Sequence, residues 1–294
     1  MNAATHVAFA DESNWNAGRF RGICMVSMPL ATAQILGPTI ANVLQESGLT
    51  EFKWAKLRQA RERFAAERLI GLAIDAACAD HLRIDALIWD TEDSRHKIQG
   101  RDDNANLQRM FYHLARNVMC QRWPAGSVWR LCPDEHETID WGTLEEFLAR
   151  AGDPLEVQMA LRGQGQMLTS RSHYKVRELT PVVSTHEPIV QIADLFAGLT
   201  VFSRTEFQAY KSWSTSDAGQ LSLFDMGSSP VSKAAATRFP ILASVNTMFK
   251  DRKLGIAFES TQGLRTKSPN SPINFWWYEP QRALDTAPRR ALSR

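Results

Sequence analysis

The first patterned stretch is HVAFADES, residues 6–13, an apolar run that stops on two adjacent acids, Asp11 and Glu12. It predicts a strand. NAGRFRGICMVSMPL predicts a second, with Ile23, Met25 and Val26 ahead of a stop at Pro29. Residues 31–46, ATAQILGPTIANVLQE, have helical character broken by Gly37-Pro38, which predicts a kink or two short helices. LTEFKW reads as a further short strand. A long helix is predicted from Lys56 to about His81. Its first half, KLRQARERFAAER, is amphipathic and basic, with Leu57, Ala60 and Phe64 on one face. Its second half, LIGLAIDAACA, is apolar nearly all round and is expected to be buried.

RIDALIWD is a strong strand that again ends on an acid, Asp90. A polar loop, TEDSRHKIQGRDDNAN, leads to the helix LQRMFYHLARNVMCQRW, stopped by Pro124-Ala125-Gly126. SVWRLCPDE is another strand running into acids, Asp134 and Glu135. WGTLEEFLARAGDP predicts a short helix with Thr143 as N-cap and Gly152 near the C-cap. KVRELTPVVSTHEP is extended and enters the helix IVQIADLFAGLTVFSRTEFQAY, with Pro188 at its first turn. Beyond Tyr210 come the loop SWSTSDAGQLSLFDMGSSPVSK, a short helix from Pro240 to Phe249, the strand KLGIAFEST, INFWWYEP, and a frayed APRRALSR. The order β-β-(helical insertion)-β-α-β-α-β-(insertion)-α argues for an α/β fold: a mixed sheet flanked by helices. It divides into a core over 1–212 and a C-terminal extension over 213–294 that packs on it.

Bulk properties narrow this little. A length of 294 residues with 44% hydrophobic residues suits one large domain or a core with an extension. With 34 Lys+Arg against 32 Asp+Glu the formal charge is +2, which leaves a local basic patch free to bind phosphate. Cys24, Cys78, Cys120 and Cys132 are scattered, with no CxxC pair, which fits a reduced cytoplasmic protein better than a disulfide scaffold or zinc site. No signal peptide is expected, and the most apolar stretch, PIVQIADLFAGLTVF, is too short to span a bilayer.

Strands ending in acids are the chemical signal. In open α/β sheets, sites form beyond the carboxyl ends of strands. Clustered carboxylates there repel unless protons or hard cations neutralise them, and Mg²⁺ or Mn²⁺ prefers such oxygen ligands. Acids at strand ends also cap turns. Asp134 and Glu135, beside Pro133 and a polar loop, lean more to that role than Asp11 does. Asp194 is sharper. It lies about two turns inside an apolar helix, too deep to cap it, with Gln191 on the same face. A carboxylate there costs several kcal/mol if buried unpaired, so a partner is expected: an Arg, a shared proton or a metal. Gly198, one turn on, leaves room for a close neighbour.

Asp11-Glu12-Ser13 on the first strand and Gln191-Ile192-Ala193-Asp194 on a late helix resemble the two hallmark motifs of the domain-of-unknown-function 3800 family. EFKWAKL, residues 51–57, resembles a further stretch of that family, and INFWWYEP with Asp285 and Ala287-Pro288 is similar to the tail of one branch. The resemblance runs from about residue 6 to 290. It implies a ribonuclease H-like fold, with a bacterial setting among mobile-element or phage-defence genes. That fold places one acid on the first strand, one at the end of the fourth strand and one on the last helix. Counting LTEFKW as the third strand, Asp11, Asp90 and Asp194 take those places; the fold's fourth acid falls to Glu51, just before the long helix, with Glu62 and Glu67 within that helix as alternatives.

The implied chemistry is phosphodiester hydrolysis with Mg²⁺ or Mn²⁺, two metals clamping the attacking water and leaving oxygen. Asp11 would bridge them and Asp90 and Asp194 would each complete one. Glu12 would face away or hold a second water, and Gln191 would orient Asp194 or a metal-bound water. His186 is a candidate proton shuttle. Lys53, Lys56, Arg58 and Arg61 would contact a nucleic-acid backbone, DNA or RNA; an ordinary solvated face with pairs such as Arg63–Glu67 explains that stretch equally well. Trp54 and Trp276-Trp277-Tyr278 could stack on bases or lie in the core. Two readings compete with a nuclease: a non-catalytic scaffold that binds nucleic acid or a partner protein of a defence system, and a metal-free carboxylate hydrolase such as a glycosidase. No P-loop, GxSxG, HExxH or GxGxxG pattern is present.

Overall fold

Strand β1 (His6–Ser13) and strand β2 (Phe20–Pro29) form an antiparallel hairpin in unbroken register, His6 opposite Pro29 and Ser13 opposite Gly22. This and all that follows comes from a computed structural model that describes residues 3–93, 102–152, 173–215 and 232–279. Helix α1 (Leu30–Glu46), a single 3₁₀ turn at Trp54–Lys56 and helix α2 (Ala60–Cys78) lead to strand β3 (Arg83–Asp90). Then come helix α3 (Asp103–Gln121), strand β4 (Ser127–Pro133), helix α4 (Trp141–Gly152) and strand β5 (Tyr174–Leu179). Helices α5 (Val190–Thr205), α6 (Phe207–Thr215) and α7 (Lys233–Asp251) precede the short strands β6 (Ile256–Ala257) and β7 (Arg265–Thr266), and strand β8 (Ile273–Trp277).

The fold is α/β, with a mixed six-stranded sheet ordered β5-β4-β1-β2-β3-β8 and flanked by helices. Pairing is parallel for β1–β4, β4–β5 and β3–β8, and antiparallel on both sides of β2, so β2 alone runs against the rest. Both faces are covered, which is why these strands read as apolar runs. Val7, Phe9, Cys24, Val26, Ile84, Ala86 and Phe275 face one core, with α2, α5 and α7. Ala8, Ala10, Ile23, Met25, Leu87 and Trp89 face the other, with α3 and α4. The period of two therefore sends Asp11 to the face of Val7 and Phe9, where α5 lies, and Glu12 to the opposite face.

Helix α5 is buried at every position from Val190 to Ser203 because it lies across β1, β2 and β3 and is roofed by the segment around Trp54. Gly198 permits that roof: a Cβ there would fall 2.2 Å from Trp54 Cγ. The indole packs edge-on to Phe202, ring centroids 5.7 Å apart.

Several elements differ from the expectations. LTEFKW is not a strand; the Phe52 and Trp54 N–H groups are taken by side chains of α5 instead of a neighbouring strand. RIDALIWD is thus the third strand of the sheet and SVWRLCP the fourth. Helix α1 runs through Pro38 as one element, and Thr39 Oγ1 bonds the Ile35 carbonyl nearby. Phe64 sits on the outer face of α2, half exposed, with the Arg68 guanidinium 5.5 Å from its ring centroid. Asp140, not Thr143, caps α4, accepting the Thr143 N–H at 3.0 Å. The helix predicted as one element from residue 189 to 210 breaks at Glu206 into α5 and α6, and α7 is longer than expected. Two residues of KLGIAFEST form β6. INFWW, assigned to the extension, adds the sixth strand, with Trp276 packed toward the α3 side and Trp277 beside Phe20 on the other. Parts of the loop after Asp90, most of the Ser/Gly/Asp-rich loop and the tail from residue 280 lie outside the described residues.

Gly198→Ala is expected to destabilise the protein by about 1–3 kcal/mol, the usual cost of overpacking. Urea denaturation against wild type measures it. An unchanged midpoint would mean the roof over α5 is not closely packed.

Candidate functional site

The segment before the 3₁₀ turn is extended, Lys53 having φ −135° and ψ 127°. Gln191 and Asp194, three apart on α5, hold it by alternate backbone groups. Gln191 Oε1 accepts the Phe52 N–H at 2.6 Å, and Asp194 Oδ2 accepts the Trp54 N–H at 2.5 Å. The match is geometric: side chains at i and i+3 of a helix stand about 5–6 Å apart, close to the roughly 6.6 Å between alternate residues of an extended chain. Gln191 Nε2 also donates to the Ser184 carbonyl at 2.9 Å. Both ends of this fully buried amide are thus used by backbone, so Gln191 positions the segment rather than orienting a metal-bound water.

The residue between the two held N–H groups is Lys53, and its ammonium reaches the carboxyl end of the sheet. It lies 2.7 Å from Asp134 Oδ2, just beyond β4, and 3.6 Å from Asp11 Oδ2 on β1. Asp134 is held there by its own N–H, which bonds the Ala10 carbonyl at 2.8 Å. Asp11 Oδ1 accepts the Glu12 N–H at 2.7 Å, while its Oδ2 is buried without a hydrogen-bond partner. Asp11 on β1 and Asp134 just past β4 thus share one ammonium at a nearly closed sheet edge, and its charge also acts on Asp194 of α5.

The electrostatics follow. Burial, with Asp194 and Glu12 next in importance, pushes the Asp11 carboxyl well above the carboxylate range. Burial raises Asp194 to about 6, although the Trp54 N–H and Lys53 pull it down. Glu12 is raised to about 7 by burial and by Asp134. Burial alone would lower Lys53, but Asp11, Asp134 and Asp194 more than offset it and its pKa rises. On the far face, Glu12 Oε1 is 3.9 Å from His136 Nε2, and the imidazole packs edge-on against Trp15 at 4.7 Å. Burial lowers the His136 pKa.

The other expected residues fall elsewhere. Asp90 does not join the cluster. It ends β3, opposite Phe20 of β2, whereas Asp11 faces Cys24. That is about 13 Å along the strands and about 10 Å across them. Its carboxylate is instead gripped by Arg19, Nη2 to Oδ2 being 2.7 Å, and despite partial burial the guanidinium lowers its pKa. The place expected of it is held by Asp134, the acid read as a turn residue. Glu51 is one layer out, accepting from Ser184 Oγ at 2.6 Å and Lys56 Nζ at 3.2 Å. Arg61 pairs with Glu62. Of the four expected phosphate contacts Lys53 points into the acids, Lys56 and Arg61 are paired, and Arg58 is exposed without an ion pair among the described residues. His186 is exposed on the turn before α5, and the imidazole near the acids is that of His136. Trp54 and Phe202 lie in the core. Asp134 is expected from the sequence as a turn acid and His136 is not expected at the site; their spacing, Asp-x-His just past a strand, is the available signal.

Among the described residues no three His, Cys, Asp or Glu donors stand at metal-ligand spacing, since Lys53 holds the middle of the cluster. The donor chemistry nevertheless fits a hard divalent cation: it is all oxygen, and Asp11 Oδ2 is buried and unbonded.

Two relatives from Methanothermobacter thermautotrophicus, "Uncharacterized protein ORF2′" and "Uncharacterized protein ORF2", are each 39% identical to the chain over 290 residues, 96% of this chain and 97% of the relative. No family model matches the chain.

Raised folded-state pKa values mean that the folded protein binds protons the unfolded chain has released. The stability from Glu12 and Asp194 is fully present below their unfolded values near 4.5 and 3.8 and is lost as pH rises through about 7 and about 6. The metal-free protein is therefore expected to melt higher at pH 5.5 than at pH 8. Asp194→Asn, which keeps an acceptor for the Trp54 N–H, flattens that slope and raises Tm at pH 8. Calorimetry across this window decides it; an Asp194→Asn slope equal to that of wild type, in which the histidines contribute alike, would contradict the assigned burial.

Proposed function

The chain belongs to the family of the two ORF2 proteins, and for it we propose a metal-dependent phosphodiester hydrolase, a nuclease, on a ribonuclease H-like fold. One observation carries the reading: carboxylates from the first strand, the residue after the fourth strand and a late helix act on one another and on Lys53 at one sheet edge, as Asp11, Asp134 and Asp194. Asp11, Asp134 and Asp194 would hold Mg²⁺ or Mn²⁺. The bound cation would neutralise the cluster, lower the pKa of water and stabilise charge on the leaving oxygen. Glu12, with its pKa about 7, can exchange a proton near neutral pH, and His136 Nε2 at 3.9 Å is placed to relay it.

A second reading, a non-catalytic scaffold for nucleic acid or a partner protein of a defence system, is favoured by the same ammonium. Lys53 already sits 2.7 Å from Asp134, so the acids are partly neutralised without a metal.

The two readings separate on metal response and turnover. Under the hydrolase reading, Mn²⁺ at a hundred times its dissociation constant stabilises wild type by about 2.7 kcal/mol. It leaves Asp11→Asn and Asp134→Asn almost unmoved. With DNA or RNA, Asp134→Asn loses on the order of 10²-fold or more in kcat, as loss of one preorganised charge-stabilising group typically does. Asp90→Asn keeps near wild-type activity. Cleavage by Asp134→Asn at the wild-type rate sinks the assignment of the site, and a wild type that ignores metal and cleaves neither polymer leaves the scaffold.

A further inference from the structure

Away from the acids, on the outer side of Trp54, a cleft of about 330 Å³ opens between the first turns of α2 and α7. Arg58, Gln59, Ala60 and Arg63 line one wall and Ala236 and Thr237 the other. Its charge is one-sided. Glu62, the acid nearest in sequence, is turned back onto the helix end, accepting the Gln59 N–H at 2.6 Å and Arg61 Nε at 3.1 Å. No ion pair joins Arg63 to Glu67, and among the described residues the Arg58 and Arg63 guanidiniums have no carboxylate partner. Arg238, next after Thr237, adds a third guanidinium. It lies over Trp54, 5.3 Å from the ring centroid, and donates to the Trp54 carbonyl at 2.8 Å. Burial and then the like charge of Arg58 lower its pKa, more than Asp194 and Glu206 raise it, so the positive charges here are crowded.

The cleft is coupled to the acids through one residue. Trp54 gives its N–H to Asp194 and its carbonyl to Arg238, so one backbone residue links an acid of the site to the guanidinium beside the cleft. The small walls at Ala60 and Ala236 admit a bulky anion. Guanidinium forks match phosphate oxygens in pairs, and the volume stands at the lower end of ligand pockets, enough for a phosphate with its sugar and not for a folded partner.

We propose that this cleft is a phosphate subsite in which Arg58 and Arg63 hold a backbone phosphodiester of a DNA or RNA strand. The proposal rests on the hydrolase reading for the kind of ligand, but binding at the cleft needs neither metal nor turnover.

Fluorescence anisotropy in EDTA with labelled oligo-dT and oligo-U tests it on the full chain. Both arginines are exposed, so Arg58→Gln/Arg63→Gln is expected to fold, and Lys175→Gln on β5 serves as a surface-charge control. The double variant should bind at least about tenfold more weakly, and its salt slope should flatten by about 0.7, one single-strand phosphate contact. Lys175→Gln should match wild type. Equal binding by the double variant overturns the subsite, as does a wild type that binds neither oligonucleotide. If AMP or inorganic phosphate binds as tightly as the strands, with the same arginine dependence, the cleft takes a free anion and the strand assignment falls. Metal-dependent cleavage with an unchanged KM in the double variant removes the subsite and keeps the hydrolase; arginine-dependent binding by a protein that never cleaves does the reverse.

Discussion

Three carboxylates can share the closed edge of this sheet because an ammonium stands among them. Lys53 is 2.7 Å from Asp134 and 3.6 Å from Asp11, and its charge also pulls on Asp194. An ionised carboxylate loses several kcal/mol of solvation on burial, and like charges add to that. The compensation is incomplete: Asp11, Asp194 and Glu12 all remain shifted toward their protonated forms. A site in this state has spare affinity for positive charge, whether protons, a divalent cation or a partner's cationic group. That unspent affinity is the physical content behind both functional readings.

Lys53 reaches the acids because α5 treats the preceding segment as a strand. Gln191 and Asp194 satisfy alternate N–H groups that would otherwise be buried orphans beside the core. Asp194 thereby has two roles that compete for one carboxylate, capturing the Trp54 N–H and facing Lys53. Gly198 completes the arrangement by letting the Trp54 ring lie against the helix. The Gln-x-x-Asp pattern is in this light a backbone clamp as much as a chemical motif. Its glutamine is wholly structural in geometry, its aspartate belongs to both.

Trp54 then divides two electrostatic regions. Inward are the acids with one ammonium; outward are the guanidiniums of Arg58, Arg63 and Arg238, the first two without a carboxylate partner among the described residues.

Much of this was legible in residues alone. The alternation in HVAFADES placed Asp11 and Glu12 on opposite faces, and the depth of Asp194 in an apolar helix demanded a partner. Those are local properties, set by periods of 2.0 and 3.6 and by the cost of burying charge. The mixed α/β class followed from element order. What local pattern did not decide was which acid joins Asp11. LTEFKW has a strand's composition, and counting it as one moved the expected ligand from Asp134 to Asp90. Only the tertiary structure shows that its N–H groups are taken by α5, that β4 lies beside β1, and that Arg19 holds Asp90 some distance away. Neighbourhood in a sheet is a long-range relation, fixed by which strand edges pair, and no single segment carries it.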